Sequence, residues 1–191
     1  GLMGSPRLKG NTEILLDEVL KGAQSQGTDV DKLILSSFTI KPCREIYGCR
    51  KDGRCVLKDD FDALLESVFH ADALVLASPI FFYNLPAHTK AFVDRCQSLW
   101  VNKYVLKRPL PVQKARKGYF VSVGATHGER LFKGVKLTVR YFFDVLDVTY
   151  SGELLVRGVD GKGAIREHPT ALHEALELGG RIAQNFDRSP G

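Results

Sequence analysis

The chain has 191 residues, 44% hydrophobic and 26% charged, with a formal net charge of +5, which is enough apolar content for one globular domain and excludes a disordered chain. No apolar run approaches the roughly 20 residues of a membrane helix, and no basic stretch followed by an apolar signal core opens the sequence. Four cysteines, three of them clustered at Cys43, Cys49 and Cys55, do not make a disulfide scaffold, so a soluble, cytoplasmic protein in a reducing compartment is expected.

The first informative stretch is GSPRLKGNT, residues 4–12. After it, Ile14, Leu15, Val19, Leu20 and Ala23 recur on one helical face, which places Asn11 or Thr12 at the N-cap. Only three residues precede Gly4, fewer than the roughly five or six of a usual strand. Residues upstream of Gly1 are therefore expected to complete a first, central strand. Further strands are predicted at 30–36, 71–79, 117–124 and 145–156, the second and third of these apolar enough for burial on both faces. Helices are predicted between them: one from Phe61 behind Asp59 or Asp60 as cap, one from Pro86 through Trp100, one over 129–146, and a closing helix over 169–186. The closing helix is expected to turn Leu172, Ala175, Leu176, Ala183 and Phe186 inward. Strand and helix alternate roughly five times. That pattern defines a doubly wound α/β sandwich, whose ligands bind at the carboxyl ends of the strands.

Between Asp94 and Glu129 there is no acidic residue, while Arg95, Lys103, Lys107, Arg108, Lys114, Arg116 and Lys117 all fall there. With no aromatic-interleaved motif beside it, the run reads as a solvated face, and no nucleic-acid partner is expected. His70, His88, His168 and His173 read as structural or surface residues.

The loop at 4–12 matches neither G-x-x-x-x-G-K-[ST] nor G-x-G-x-x-G, so the nucleoside-triphosphate and dinucleotide fingerprints are absent. It ends at a helix N-terminus, whose free N–H groups and positive partial charge suit an anion. The single terminal phosphate of flavin mononucleotide (FMN) could be held by the hydroxyls of Ser5 and Thr12, the amide of Asn11, backbone N–H groups and the guanidinium of Arg7. A polar turn with an ordinary helix cap is the alternative for this cluster taken alone.

GSPRLKGNT, followed by PCREIYGCRKDGRCVLKDDF, ASPIFFYNLPAHTKAFVDR and VGATHGE, resembles the NADPH-dependent FMN reductase family, and within it the iron–sulfur flavoprotein branch. The resemblance implies a flavodoxin-like three-layer sandwich with a five-stranded parallel sheet in the order 2-1-3-4-5. It implies one FMN-binding domain over residues 1–191, with a cysteine-containing insertion at about 41–58. Ser5, Arg7, Asn11 and Thr12 would hold the phosphate. Pro79, Ile80, Phe81, Phe82, Tyr83 and Asn84 would lie against the flavin ring, although Phe81 and Phe82 taken alone read more commonly as core. Gly124, Ala125, Thr126 and His127 would meet its pyrimidine side, with His127 the candidate for stabilising the reduced flavin. NADPH or NADH would donate hydride to FMN, and a small molecule or a protein would accept the electrons. The family resemblance also implies a homodimer or homotetramer, to which Trp100, Tyr141, Phe142 and Phe143 could contribute if they do not fill the core. The alternative is an electron-transfer protein without its own nicotinamide reaction; such carriers are typically acidic, whereas this chain is basic.

Members of the iron–sulfur branch carry four cysteines in a compact run. Here Cys43, Cys49 and Cys55 match three of them and Ile46 stands in the fourth place, so no iron–sulfur cluster is expected. Cys96 is a remote fourth candidate, and zinc is a minor one.

Overall fold

Apolar side chains alternate along the central strands and bury both faces of one sheet. The computed structural model describes residues 1–112 and 114–185. Strands β1 (Leu2–Met3), β2 (Leu33–Ile34), β3 (Ala73–Pro79), β4 (Arg116–Val123) and β5 (Val148–Val156) pair in parallel, in the order β2-β1-β3-β4-β5. Helices α1 (Asn11–Gln24), α2 (Cys49–Asp52), α3 (Phe61–His70), α4 (Ala87–Arg95), α5 (Gln97–Trp100), α6 (Lys133–Val145) and α7 (Ala171–Gln184) lie in the connections. On β3, Leu74 and Leu76 enter a core with Phe61, Phe92, Phe142 and Phe143 from α3, α4 and α6. Val75 and Ala77 enter a second core with Leu15, Val19, Ala175 and Ile182 from α1 and α7. This is the flavodoxin-like order, with β1 central and a crevice at the carboxyl ends of the strands beside it.

Within this sequence the first strand spans Leu2–Met3. Leu2 pairs with Leu33 on one side and Leu76 on the other, and both Leu2 and Met3 are buried. The strand predicted at 30–36 is cut to Leu33–Ile34, because the chain turns into a 3-10 helix over Leu35–Ser37, where the Ser37 hydroxyl donates to the Ile34 carbonyl at 2.7 Å. The strand predicted from 145 begins at Val148, since α6 runs through Val145 and Asp147 breaks out with φ 54°. The helix predicted from Pro86 through Trp100 divides into α4, α5 and a π-helical turn over Val101–Val105.

The closing helix buries Ala171, Ala175, Leu178, Ile182 and Ala183, while Leu172 and Leu176 are half-buried; Phe186 lies outside the described residues. Its phase is set by Gly22 and Gly179, where α1 and α7 cross. A Cβ on Gly179 would stand 1.9 Å from the Val19 carbonyl oxygen, and one on Gly22 would stand 2.0 Å from that of Leu176.

The basic run is only partly a solvated face. Arg116 is buried and donates to the Val68 carbonyl at 2.9 Å and to the Leu146 carbonyl, closing the last turns of α3 and α6, where a cation opposes the helix dipole. Arg95 is also buried, against Asp59. No helix among the described residues is long and apolar enough to cross a membrane.

Candidate functional site

The loops after β1, β3 and β4 converge. Ser5, Arg7, Gly10, Asn11 and Thr12 from the first, Pro79, Ile80 and Phe81 from the second and Ala125 from the third line one cavity of about 180 Å³, joined by Val159 and Asp160 beyond β5. Cavities that enclose small molecules usually run to roughly 300–1,000 Å³. This one would therefore enclose part of a larger ligand and leave the rest against an open rim.

The first loop is fastened at both ends. Gly4 N–H donates to the Ala77 carbonyl at 2.7 Å, and the buried Thr89 hydroxyl of α4 donates to the Gly4 carbonyl at 2.8 Å. Buried Ser5 accepts the Arg7 N–H at 3.1 Å. The N-cap of α1 is Gly10 rather than Asn11 or Thr12, and no side chain caps the helix. Instead Glu13 reaches back: its carboxylate accepts the N–H of Lys9, held at φ 54°, at 2.5 Å and the Lys32 ammonium at 2.8 Å. Burial alone would raise the Glu13 pKa, but the Lys32 ammonium and the Lys9 N–H outweigh it and hold the carboxyl below its ordinary range. Thr12 is buried and lines the cavity with no hydrogen-bond partner for its hydroxyl among the described residues.

Asn11 has a different role from the one expected. Its side chain donates to the Gly161 carbonyl at 2.8 Å and accepts the Ile165 N–H at 3.3 Å, so it ties the first loop to the loop after β5 and leaves only its backbone N–H for an anion. Sequence reasoning missed that fourth loop. The available signal was GVDGKG at 158–163, a turn-rich stretch at the carboxyl end of a predicted strand.

The second loop is a two-residue hairpin. Phe81 and Asn84 exchange N–H···O bonds at 2.9 Å each, with Phe82 and Tyr83 at φ 49° and 61°, the backbone of a type I′ turn. Neither residue is glycine, so each costs of order 1 kcal/mol. The core alternative for Phe81 and Phe82 is excluded: Phe82 is 101% exposed, and Phe81 and Tyr83 are exposed beside it. In the third loop, Gly124 N–H donates to the Val156 carbonyl at 2.9 Å and Val159 N–H to the Gly124 carbonyl at 3.1 Å. His127 is exposed and lies over Gly158, where φ is 71° and a Cβ would stand 2.2 Å from its ring. His127 is not among the residues lining the cavity.

Cys43, Cys49 and Cys55 are half-buried and Cys96 is buried. The first three line a separate cavity of about 510 Å³ with Ile46, Tyr47 and Trp100. Among the described residues, no three Cys, His, Asp or Glu side chains are grouped to hold a metal.

Fold and site together define a flavodoxin-like protein with a loop-lined cavity at the carboxyl edge of its sheet. The sequence profile of the NADPH-dependent FMN reductase family matches residues 1–150, and the chain belongs to that family. An iron–sulfur flavoprotein of Archaeoglobus fulgidus is 41% identical over 95 residues, covering 50% of this chain and 43% of that protein. A putative NAD(P)H-dependent FMN-containing oxidoreductase of Bacillus subtilis, YwqN, is 25% identical over 188 residues, covering 96% and 95%. The chain spans about half the length of the iron–sulfur flavoproteins it matches. The structure of an NAD(P)H:quinone oxidoreductase from Methanothermobacter marburgensis superposes with a TM-score of 0.71 at 20% identity, over 95% of this chain and 96% of that one, a likeness of fold.

Proposed function

We propose that the chain binds FMN in the loop cavity and passes reducing equivalents from NADPH or NADH through it to a small-molecule or protein acceptor. The observation that carries this reading is the meeting of a helix N-terminus, Ser5, Thr12, Arg7 and the strained aromatic hairpin around one cavity. The donor set fits a phosphate monoester. Hydroxyl and backbone donors face it, Arg7 adds a cation, and the loop lacks the glycine-rich spacing that cradles a diphosphate. When bound, FMN supplies hydride and electron transfer.

Ser5, Thr12, Arg7 and the backbone N–H groups of Asn11 and Thr12 hold the phosphate. Pro79–Asn84 offers backbone N–H and C=O groups to a flat polar ring, and the aromatic side chains of Phe81, Phe82 and Tyr83 shield it from water. The third loop, Gly124–His127, bounds the opposite side through Ala125, with the exposed imidazole of His127 free to turn toward negative charge. The chain acts as one domain over residues 1–191, with the 41–58 loop as an insertion. It works in the cytoplasm as a homodimer or homotetramer, and the uncovered Phe82, Leu137 and Tyr141 side chains support such association. The test is a titration of apoprotein with FMN, followed by NADPH and NADH oxidation with quinone, free flavin and nitroaromatic acceptors. One FMN per chain and acceptor-dependent oxidation are expected; an intact fold that takes up no FMN would overturn the reading.

A further inference from the structure

We infer that the 41–59 loop of this chain is held closed by the buried Arg95–Asp59 ion pair and carries no [4Fe–4S] cluster. FMN, on the reading above, is then the sole redox centre. Relatives named iron–sulfur flavoproteins imply such a cluster, and the residues present here do not fit one.

A [4Fe–4S] cluster takes four thiolates. The chain has four cysteines, of which Cys96 lies in the core with its Sγ 3.4 Å from the Phe92 carbonyl oxygen. Burial pushes that thiol well above its ordinary range, far from the thiolate a metal needs. Ile46, exposed on the loop, offers no donor atom. Of the nearby carboxylates, Asp94 pairs with Lys90 at 2.7 Å, and Asp59 accepts Arg95 at 2.6 Å, the Lys41 N–H at 2.9 Å and the Phe61 N–H at 3.1 Å; Glu45, which lines the same cavity as the three cysteines, offers oxygen where the cluster takes a thiolate.

What closes the base of the loop instead is the Arg95–Asp59 pair. The Arg95 guanidinium, with no exposed surface, donates to the Lys41 carbonyl at 3.0 Å at one end of the loop. At the other end it reaches Asp59, the Leu57 carbonyl at 3.4 Å and the Cys55 Sγ at 3.1 Å. It stands 4.6 Å from the centre of the Phe61 ring. The tip is tied separately, by Asn102 to the Gly53 carbonyl and Arg108 to the Asp52 carbonyl, each at 3.0 Å. The loop is thus tied to the rest of the protein at both its base and its tip.

The experiment incubates anaerobically purified protein with ferrous iron, sulfide and a thiol reductant, then measures iron, acid-labile sulfide and the visible spectrum after desalting. An iron–sulfur flavoprotein relative is carried through the same steps as a control. Fewer than about one iron per chain is expected; about four irons with matching sulfide would overturn the inference. In parallel, tryptic cleavage is followed at the exposed Arg44, Arg50 and Lys51. A Cys43→Ser/Cys49→Ser/Cys55→Ser variant is expected to be cut within about twofold of the wild-type rate, and Arg95→Gln at least about tenfold faster. A triple variant cut as fast as that expected for Arg95→Gln would show that the thiols, not the ion pair, hold the loop. Iron content and cleavage are read whether or not the protein binds flavin, so failure here is distinct from failure of the FMN reading.

Discussion

Thr12 is buried against the cavity with an unengaged hydroxyl. Thr12→Val keeps its shape and removes one hydrogen bond to a charged group, which is worth about 1.5–3 kcal/mol. The FMN dissociation constant should rise at least about tenfold in a fluorescence titration, with the melting temperature unchanged. Glu13 makes a pH-dependent prediction. Its folded pKa lies below the ordinary 4.5, so ionised Glu13 contributes stability that is fully present above that value and is lost as the pH falls through the folded one. Glu13→Gln should flatten the acid limb of stability below about pH 4.5 in urea titrations, and it should weaken FMN binding at neutral pH by releasing the Lys9 turn. These two residues also show how far the sequence could be read. The spacing of GSPRLKGNT before a helix was enough to nominate an anion cradle, because helix termini have fixed chemistry. The roles of Asn11 and Glu13 were hidden, since their partners at 161, 165 and 32 are brought near only by the fold.

At the scale of elements, the hairpin at Phe82–Tyr83 holds two bulky residues in the left-handed region. Replacing the pair with Asn-Gly should stabilise the fold by about 1–2 kcal/mol in chemical denaturation, since those residues favour the turn. The same change should lower FMN affinity by removing the aromatic cover. If stability does not rise, the backbone strain is absent. The α1–α7 crossing predicts the opposite sign: Gly179→Ala would drive a methyl group into the Val19 carbonyl and should cost at least about 2 kcal/mol, read as a lower denaturant midpoint. Strand and helix alternation was plain in the sequence because β3, β4 and the amphipathic helices carry unambiguous periods. The bounds of the short β1 and β2 were not. A two-residue strand has no period, and its place comes from the neighbours that pair with it on both sides.

For the whole molecule, the +5 charge is distributed less freely than its sequence suggests. Arg95 and Arg116 are internal struts, and Lys103 pairs with Asp144 and Asp147. Salt should therefore affect association more weakly than the formal charge implies. Leu137 and Tyr141, 64% and 71% exposed on α6, should carry the contact between copies. Leu137→Glu/Tyr141→Glu should shift sedimentation from dimer or tetramer toward monomer, and an unshifted species would place the contact elsewhere. The most direct test of the whole account is the visible spectrum of FMN-loaded protein mixed with NADPH and NADH under anaerobic conditions. One flavin per chain is expected, its oxidised band bleaching on mixing and returning when a quinone is added. A tightly bound flavin that neither nicotinamide bleaches would contradict it and leave a flavin-binding electron carrier in its place.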